Sequence, residues 1–263
     1  LYYICMNRSS QTPALVLTIK PLGENNSSVT LLTPQNGIVY ATLYGGPKSK
    51  LRSLVAQWHS GQVWLYNNSE KNQIKINDFE VKNYHSSLGQ NLIKMYAASI
   101  ATELAIKTHC AGSNEECFKL LSGFLDGMEL SNEEQSRLGL VRFLWRYLEL
   151  LGLQPQCGEC SECQKSFLTS KFAPDSISYY NGIENSFLCP DCGKTFQKEA
   201  SFIPLKSHSV QYLTAVTHLT PAHVRKIPID KKGYEEIKGL VFFLIENSLE
   251  QKLNSIETGV GIL

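Results

Sequence analysis

Short apolar runs separated by turn-forming clusters occupy the first third of the chain, between residues 13 and 80. The runs are rich in Val, Ile, Leu, Tyr and Thr, and they are Ala14 to Ile19, Val29 to Thr33, Ile38 to Leu43, Val63 to Tyr66 and Ile74 to Phe79. The Asn36-Gly37 pair between two of these runs is a strong signal for a β-hairpin. Five strands in so short a segment favour a small closed barrel over a sandwich, which usually takes more chain. We therefore predict an OB-type β-barrel.

The hydrophobic period becomes helical after the barrel, where Leu92, Met95, Tyr96, Ile100 and Leu104 recur at helical spacing. Two capping-box patterns predict further helix starts, because Ser at an N-cap and Glu three positions later can satisfy free backbone donors. The two patterns are Ser113 with Glu116 and Ser131 with Glu134.

The helix that follows the second pattern should begin near Glu133 and stop at Gly152, before Pro155. Two more helical patterns cover residues 208–219 and 233–254. The predicted fold class is therefore α+β, with an N-terminal OB-type β-barrel followed by an all-helical domain. Residues 156–195 interrupt this domain and are rich in cysteine and turn-forming residues.

Five of the eight cysteines fall within this interruption. A Cys-x-x-Cys pair places two thiolates on one tight turn, and two such knuckles complete a four-thiolate zinc site. The second knuckle is Cys189 with Cys192, but the first is either Cys160 with Cys163 or Cys157 with Cys160. Zn²⁺ takes four ligands, so one of the first three cysteines should be free.

Other uses of these cysteines fit the pattern less well. Disulfides are not expected in a protein without export signals, and a redox pair would need a single knuckle beside a βαβ unit. A catalytic zinc usually keeps one open position beside three protein ligands, whereas four thiolates are present here. We therefore predict one structural Zn²⁺ ion held by an inserted four-cysteine zinc knuckle.

Positive charge is concentrated in the first 90 residues, which hold eight Lys or Arg and four acids, although the net charge of the chain is only +1. Such a bias is typical of a polyanion-binding surface, with ordinary surface lysines as the alternative. The predicted phosphate contacts in this part are Lys20, Lys48, Lys50 and Arg52, the last three in a loop that we expect to be exposed and mobile. Tyr44 is predicted to stack on the bases of a bound strand. For Tyr40 and Trp58 the sequence leaves two alternatives open, stacking on bases or packing in the barrel core.

Arg142 and Arg146 are four residues apart on the helix that follows Glu133, so they share one face. They could extend the polyanion-binding surface, or they could form the charged outer face of an ordinary helix.

No catalytic set is evident in the sequence. The six histidines are dispersed, and Gly45-Gly46-Pro47-Lys48-Ser49 lacks the leading glycine and the spacing of an ATP-binding loop. We therefore predict that the protein is not an enzyme. The sequence contains no run of about 18 apolar residues, so we predict no membrane span. The apolar start is too short for a signal peptide, and Met6 is a possible natural start, so a cytoplasmic, nucleoid-associated location is expected.

The order of these features resembles the bacterial DNA repair protein RecO family. The segments that carry the resemblance are Ala14-Leu15-Val16-Leu17 through Leu22-Gly23-Glu24, Val29 to Pro34 with Gly37, Gly45 to Leu51, and Leu151-Gly152-Leu153-Gln154-Pro155. Each is weak alone, but their order and spacing cover residues 12 to 255. The basic loop has less arginine than is usual in that family, and the loop between the knuckles is long.

The resemblance implies domain limits, ligands and partners. The limits are 12–85 for the OB-fold, 88–156 for the first helical part, 157–195 for the zinc-binding insertion and 196–255 for the closing helices. The family's first ligand pair lies several residues beyond the proline, which selects Cys160, Cys163, Cys189 and Cys192 and leaves Cys157 out.

By the same resemblance the chain should bind single- and double-stranded DNA and anneal complementary strands. It should also act with RecR, and with the single-stranded DNA-binding protein, to help RecA load. The alternatives are a zinc-ribbon module that docks proteins without binding DNA, and a metal-dependent hydrolase.

Overall fold

The computed structural model describes residues 8–46, 49–173, 175–195, 201–249, 252–259 and 262. The chain divides into two compact units. Unit 1 comprises Leu1–Gly139 with Leu253–Leu263, and unit 2 comprises Leu140–Lys252.

Unit 1 begins with a closed five-stranded barrel. Its strands are β1 Ser9–Leu22, β2 Asn26–Thr33, β3 Gly37–Leu43, β4 Ser60–Asn68 and β5 Gln73–Asn83. The order around the barrel is β1-β2-β3-β5-β4, and β4 pairs back onto β1. The neighbours are antiparallel except β3 and β5, which are parallel. This five-stranded closed barrel agrees with the predicted OB-type architecture.

The barrel interior is filled by the alternate apolar positions of its strands. Among them are Val16, Leu31, Val39, Leu65 and Phe79, all buried. Because side chains alternate across a strand, the intervening positions face outward and are free to carry polar groups. The predicted hairpin is present between β2 and β3, where Gly37 has a φ of +62° directly after Asn36.

A short helix, α1 Lys50–Leu54, connects β3 to β4. Leu51 and Leu54 on this helix are half-buried and pack against the barrel core. The expectation of a mobile loop is therefore wrong for residues 50–54. Lys48 lies outside the described residues.

Helices complete unit 1. They are α2 Leu92–Lys107, α3 Asn114–Glu129, the first turns of α4 Glu133–Leu150, and, from the far end of the chain, α9 Asn254–Thr258. The carboxylate of Glu103 on α2 accepts hydrogen bonds from the backbone N–H groups of Asn254 and Ser255, at 3.0 and 2.9 Å. This contact fastens α9 to α2.

The two predicted capping boxes are only partly correct. At α3 the Ser113 hydroxyl donates to the Glu116 carboxylate at 2.9 Å and makes no bond to a backbone N–H. At α4 the reciprocal pair lies one residue later than predicted. The Asn132 side chain accepts from the backbone N–H of Gln135, whose side chain accepts from the N–H of Asn132.

Unit 2 contains the rest of α4, which ends at Leu150, and the predicted stop residue Gly152 follows with a φ of +70°. The sequence pattern did not predict its three-stranded antiparallel sheet, formed by β6 Ile177–Asn181, β7 Ser186–Leu188 and β8 Phe202–Lys206 in the order β7-β6-β8. The helices that follow β7 are α5 Pro190–Gly193, α6 Ser207–His218, α7 Pro221–Val224 and α8 Lys231–Ser248. In the described part of the chain, no helix is long and apolar enough to span a bilayer.

Candidate metal centre and nucleic-acid interface

Four cysteine sulfurs converge in unit 2. The Sγ atoms of Cys160, Cys163, Cys189 and Cys192 all lie within 4.8 Å of one another. The Cys163 and Cys189 sulfurs are 3.7 Å apart. Tetrahedral coordination with metal–sulfur bonds of about 2.3 Å sets the ligand sulfurs about 3.8 Å apart. The cluster therefore fits a single tetrahedral metal ion.

Two tight turns hold these sulfurs. In the first, the backbone N–H of Gln164 donates to the Cys160 carbonyl at 2.9 Å, and Gln164 has a φ of +59°. In the second, the N–H of Gly193 donates to the Cys189 carbonyl at 2.9 Å. A Cβ at Gly193 would collide with the ring of Tyr179, so a glycine is needed there. The knuckles are therefore fixed by backbone geometry.

The surroundings of the thiols differ. A hydrogen bond from the backbone N–H of Lys165 is the largest influence on Cys163 and lowers its pKa, whereas burial raises the pKa of Cys189 and of Cys192. The Lys165 ammonium also pairs with the Asp191 carboxylate at 3.3 Å and so links the two knuckles. A bound cation would favour deprotonation of all four thiols, because thiolates are the ligating form.

Cys157 stands apart from the cluster. Its side chain is buried, its sulfur lies 3.4 Å from the Thr217 hydroxyl, and burial raises its pKa. The cysteines that the resemblance selected are thus the ones that the structure brings together.

On the outside of the barrel in unit 1, one cross-strand register places two lysines in line. Lys20 on β1 pairs with Ser28 on β2, Ser28 pairs with Thr42 on β3, and Thr42 pairs with Lys75 on β5. Paired residues in a sheet project from the same face. We call these four residues the lysine row. Both lysines are exposed, and Ser28 between them is half-buried. Thr42 is buried, and its hydroxyl accepts a hydrogen bond from the Gln73 side chain at 3.2 Å.

Two aromatic side chains flank the lysine row. Tyr40 and Tyr44 precede and follow Thr42 by two residues, and they are 59% and 40% exposed. The Lys75 ammonium lies 5.5 Å from the centre of the Tyr44 ring, within range of a cation–π contact. Lys75 was not among the predicted DNA contacts, because its alignment with Lys20 depends on pairing between strands distant in sequence.

The other predicted contacts are placed differently. Lys50 is exposed and Arg52 is half-buried on α1. Trp58 is buried, and its indole N–H donates to the Thr102 hydroxyl at 3.2 Å. Trp58 therefore belongs to the packed interior and not to a stacking surface.

Arg142 and Arg146 lie on the part of α4 that belongs to unit 2, and both are half-buried. The Arg142 Nε–H donates to the Tyr212 hydroxyl at 2.7 Å, and Arg146 donates to the Val216 carbonyl at 3.3 Å. Both arginines thus contact α6, and their role in DNA binding stays a prediction.

Two family models match the chain. The model described as "Recombination protein O N terminal" matches residues 6–85, and "Recombination protein O C terminal" matches residues 89–257. The chain belongs to the RecO family. The boundary between the two matched segments falls just after the last barrel strand, β5. The barrel therefore corresponds to the N-terminal part named by the family models, and the rest of the chain to the C-terminal part.

Curated relatives agree with this assignment. The chain is 25% identical over 236 residues to "DNA repair protein RecO" of Dehalococcoides mccartyi, covering 87% of this chain and 86% of the relative. It is 27% identical over 250 residues to the protein of the same name from Moorella thermoacetica, covering 93% of this chain and 88% of the relative. The similarity therefore extends over both units.

Proposed function

We propose that this protein binds DNA during DNA repair, and that the outer face of its barrel holds the strand. The observation that carries the proposal is the lysine row, which sets exposed cations at β1 and β5, with the exposed Tyr40 and Tyr44 on either side of the row. OB barrels bind oligonucleotides on the face formed by strands 2 and 3 and the neighbouring loops. The lysine row crosses that face.

The chemistry of this face suits a single strand without sequence preference. Lys20 and Lys75 would neutralise phosphates, while Tyr40 and Tyr44 would stack on bases. The Lys75 ammonium lies 5.5 Å from the centre of the Tyr44 ring, so one phosphate contact and one stacking residue would act side by side. Lys50, Arg52 and Lys48 would supply further phosphate contacts, and Arg142 and Arg146 are proposed contacts in unit 2.

Membership of the RecO family extends the proposal to a recombination mediator. In that role the protein would anneal complementary single strands and, with RecR and the single-stranded DNA-binding protein, help RecA load. Annealing needs two neutralised strands and no covalent step. We therefore propose a non-enzymatic role, acting on single- and double-stranded DNA in the bacterial cytoplasm at the nucleoid.

For the four-cysteine cluster we propose one structural Zn²⁺ ion. Thiolates are soft ligands that suit zinc, and four of them leave no open position for substrate. The ion would join the turn after Cys157 to the turn at the end of β7, and so stabilise the sheet of unit 2. No step of the DNA chemistry involves it.

A matched pair of charge reversals on β5 tests the barrel proposal. Lys75→Glu changes the lysine row, whereas Lys82→Glu changes an exposed lysine outside it. Fluorescence anisotropy of a labelled single strand should show about tenfold weaker binding for Lys75→Glu. The slope of the logarithm of the binding constant against the logarithm of salt concentration should also be smaller in magnitude by about one. Lys82→Glu should stay close to wild type.

Equal losses in the two variants would show that only overall charge matters. Failure of the wild-type protein to bind the strand at about 50 mM salt would reject DNA binding and favour a module that docks proteins.

A further inference from the structure

The side-chain amide of Gln73 contacts the lysine row. Gln73 precedes Lys75 by two residues on β5, so the two side chains project from the same face of the strand. The Gln73 amide nitrogen donates to the Thr42 hydroxyl on β3 at 3.2 Å, and Thr42 is the residue that pairs with Lys75. A direct hydrogen bond thus places this amide on the face where we propose that the strand binds.

Gln73 also lies beside the exposed ring of Tyr40. Both residues precede the Thr42–Lys75 pair by two positions, and β3 and β5 run in the same direction, so Gln73 and Tyr40 are neighbours across the two strands. Neighbouring strands are about 4.8 Å apart. The Tyr40 side chain is 59% exposed. An aromatic ring and an amide are therefore next to each other on the outer face of the barrel.

The bond to Thr42 uses only part of the hydrogen-bonding capacity of this amide. A carboxamide has two N–H donors and an oxygen with two lone pairs. Among the residues that the structure describes, the Gln73 amide has no hydrogen-bond partner other than Thr42, so its oxygen and one N–H are available to a ligand. The side chain is half-buried, so part of it faces solvent.

We infer that Gln73 hydrogen-bonds the edge of a nucleobase stacked on Tyr40, and that this contact makes the barrel select unpaired strands over duplex DNA. Every base has at least one donor and one acceptor on its pairing edge, and an amide can complement both, so the contact does not require a particular base. In a duplex the same groups are bonded to the opposite strand. Lysines alone do not make this distinction, because phosphates carry the same charge in both forms.

This inference rests on the proposed function, because it concerns the strand held on the barrel. It also bears on annealing. A complementary strand would compete with Gln73 for the same base edge, so the contact would be lost as base pairs form.

Two glutamines of the barrel offer a matched pair of variants. Gln73→Met removes the amide and keeps the length of the side chain. Gln62→Met makes the same change at another half-buried glutamine, on β4 and outside the lysine row. Thr42→Val keeps the Gln73 amide but removes the hydroxyl that orients it. Circular dichroism and melting would verify that all three variants fold.

The test measures binding of the full chain to three labelled probes of about 12 nucleotides, a length that one OB-sized site can hold. The probes are a mixed-sequence single strand, its duplex and a strand of abasic residues, and anisotropy is recorded at constant salt. Gln73→Met should bind the single strand about fivefold more weakly, the effect of about one hydrogen bond, with unchanged binding of the other two probes. Gln62→Met should match wild type, and Thr42→Val should show a smaller loss for the single strand alone.

An equal loss for all three probes in Gln73→Met would overturn the inference, because Gln73 would then act on phosphates or on the fold of the face. Unchanged binding of the single strand by Gln73→Met would overturn it as well. Either result, with binding by wild type intact, leaves the proposed function in place. Failure of wild type to bind any of the probes would reject the proposed function, and this inference with it.

Discussion

The indole N–H of Trp58 donates to the hydroxyl of Thr102 at 3.2 Å, and this bond joins the segment before β4 of the barrel to α2. Trp58 has a φ of +66°, which is costly for a bulky side chain. The backbone of Trp58 is also bonded at both ends: its N–H donates to the Val16 carbonyl at 2.7 Å, and its carbonyl lies 2.7 Å from Nδ1 of His85. These bonds hold the strained conformation.

Substitution of Thr102 should reveal the stabilising contribution of this contact. Thr102→Val leaves the buried indole N–H without an acceptor, so the free energy of unfolding should fall by about 1–3 kcal/mol. Thr102→Ser keeps the hydroxyl and should cost less. Urea denaturation, with the fluorescence of the buried tryptophans as signal, measures both changes, and a Ser variant as unstable as the Val variant would contradict the proposed role of the hydrogen bond.

Substitution of Tyr44 should affect DNA binding through stacking. Tyr44→Ala should weaken single-strand binding about tenfold, since stacking on an aromatic ring contributes about 1–3 kcal/mol per base. Tyr44→Phe retains the ring and its contact with Lys75, so its affinity should be close to wild type. The measurement is anisotropy at constant salt, and equal affinities for the Ala and Phe variants would exclude Tyr44 as a stacking residue.

Local patterns were sufficient to predict the barrel strands, the Asn36-Gly37 hairpin and the end of α4 at Gly152. These features depend on neighbouring residues, namely on alternation and on residues that tolerate positive φ. The convergence of the cysteines was also predictable, because two Cys-x-x-Cys turns have a strong tendency to share one ion.

Other features depend on distant parts of the chain. The sheet of unit 2 pairs β6 with β8, whose register joins Ile177 to Lys206 across a long connection. The turn between α2 and α3 contains three consecutive non-glycine residues with positive φ, His109, Cys110 and Ala111, and no local signal marks it. Tertiary packing stabilises such conformations, so sequence periodicity does not reveal them.

The bond between Glu103 and the start of α9 should make stability depend on pH. Burial acts to raise the pKa of the Glu103 carboxyl, but the hydrogen bonds from Ser255, Lys107 and Asn254 together outweigh it and lower this pKa below its usual value. A lowered pKa means that this contribution is complete above the pKa of the unfolded chain, about 4.3, and is lost as pH falls through the lower folded value.

Glu103→Gln should therefore destabilise the protein at pH 7 and approach wild type in stability as pH falls below about 4. Melting temperatures across this range measure the difference, and hydrogen exchange of α9 locates it. Glu80→Gln, at an exposed position on β5, is the control for loss of a charge. A constant difference between Glu103→Gln and wild type at every pH would show that the carboxylate charge is unimportant.

Replacing single cysteines should distinguish the metal ligands from Cys157, which lies outside the cluster. Cys160→Ser and Cys189→Ser each take one sulfur from the cluster, so the purified protein should lose its zinc and unit 2 should become less stable, because binding and folding are coupled at such sites. Cys157→Ser should keep a full equivalent of metal, since its sulfur contacts Thr217 and lies outside the cluster. Metal content is measured by atomic emission, and cobalt substitution reports the number of thiolate ligands through its absorption bands. Zinc lost by Cys157→Ser but retained by Cys163→Ser would show instead that Cys157 and Cys160 form the first knuckle.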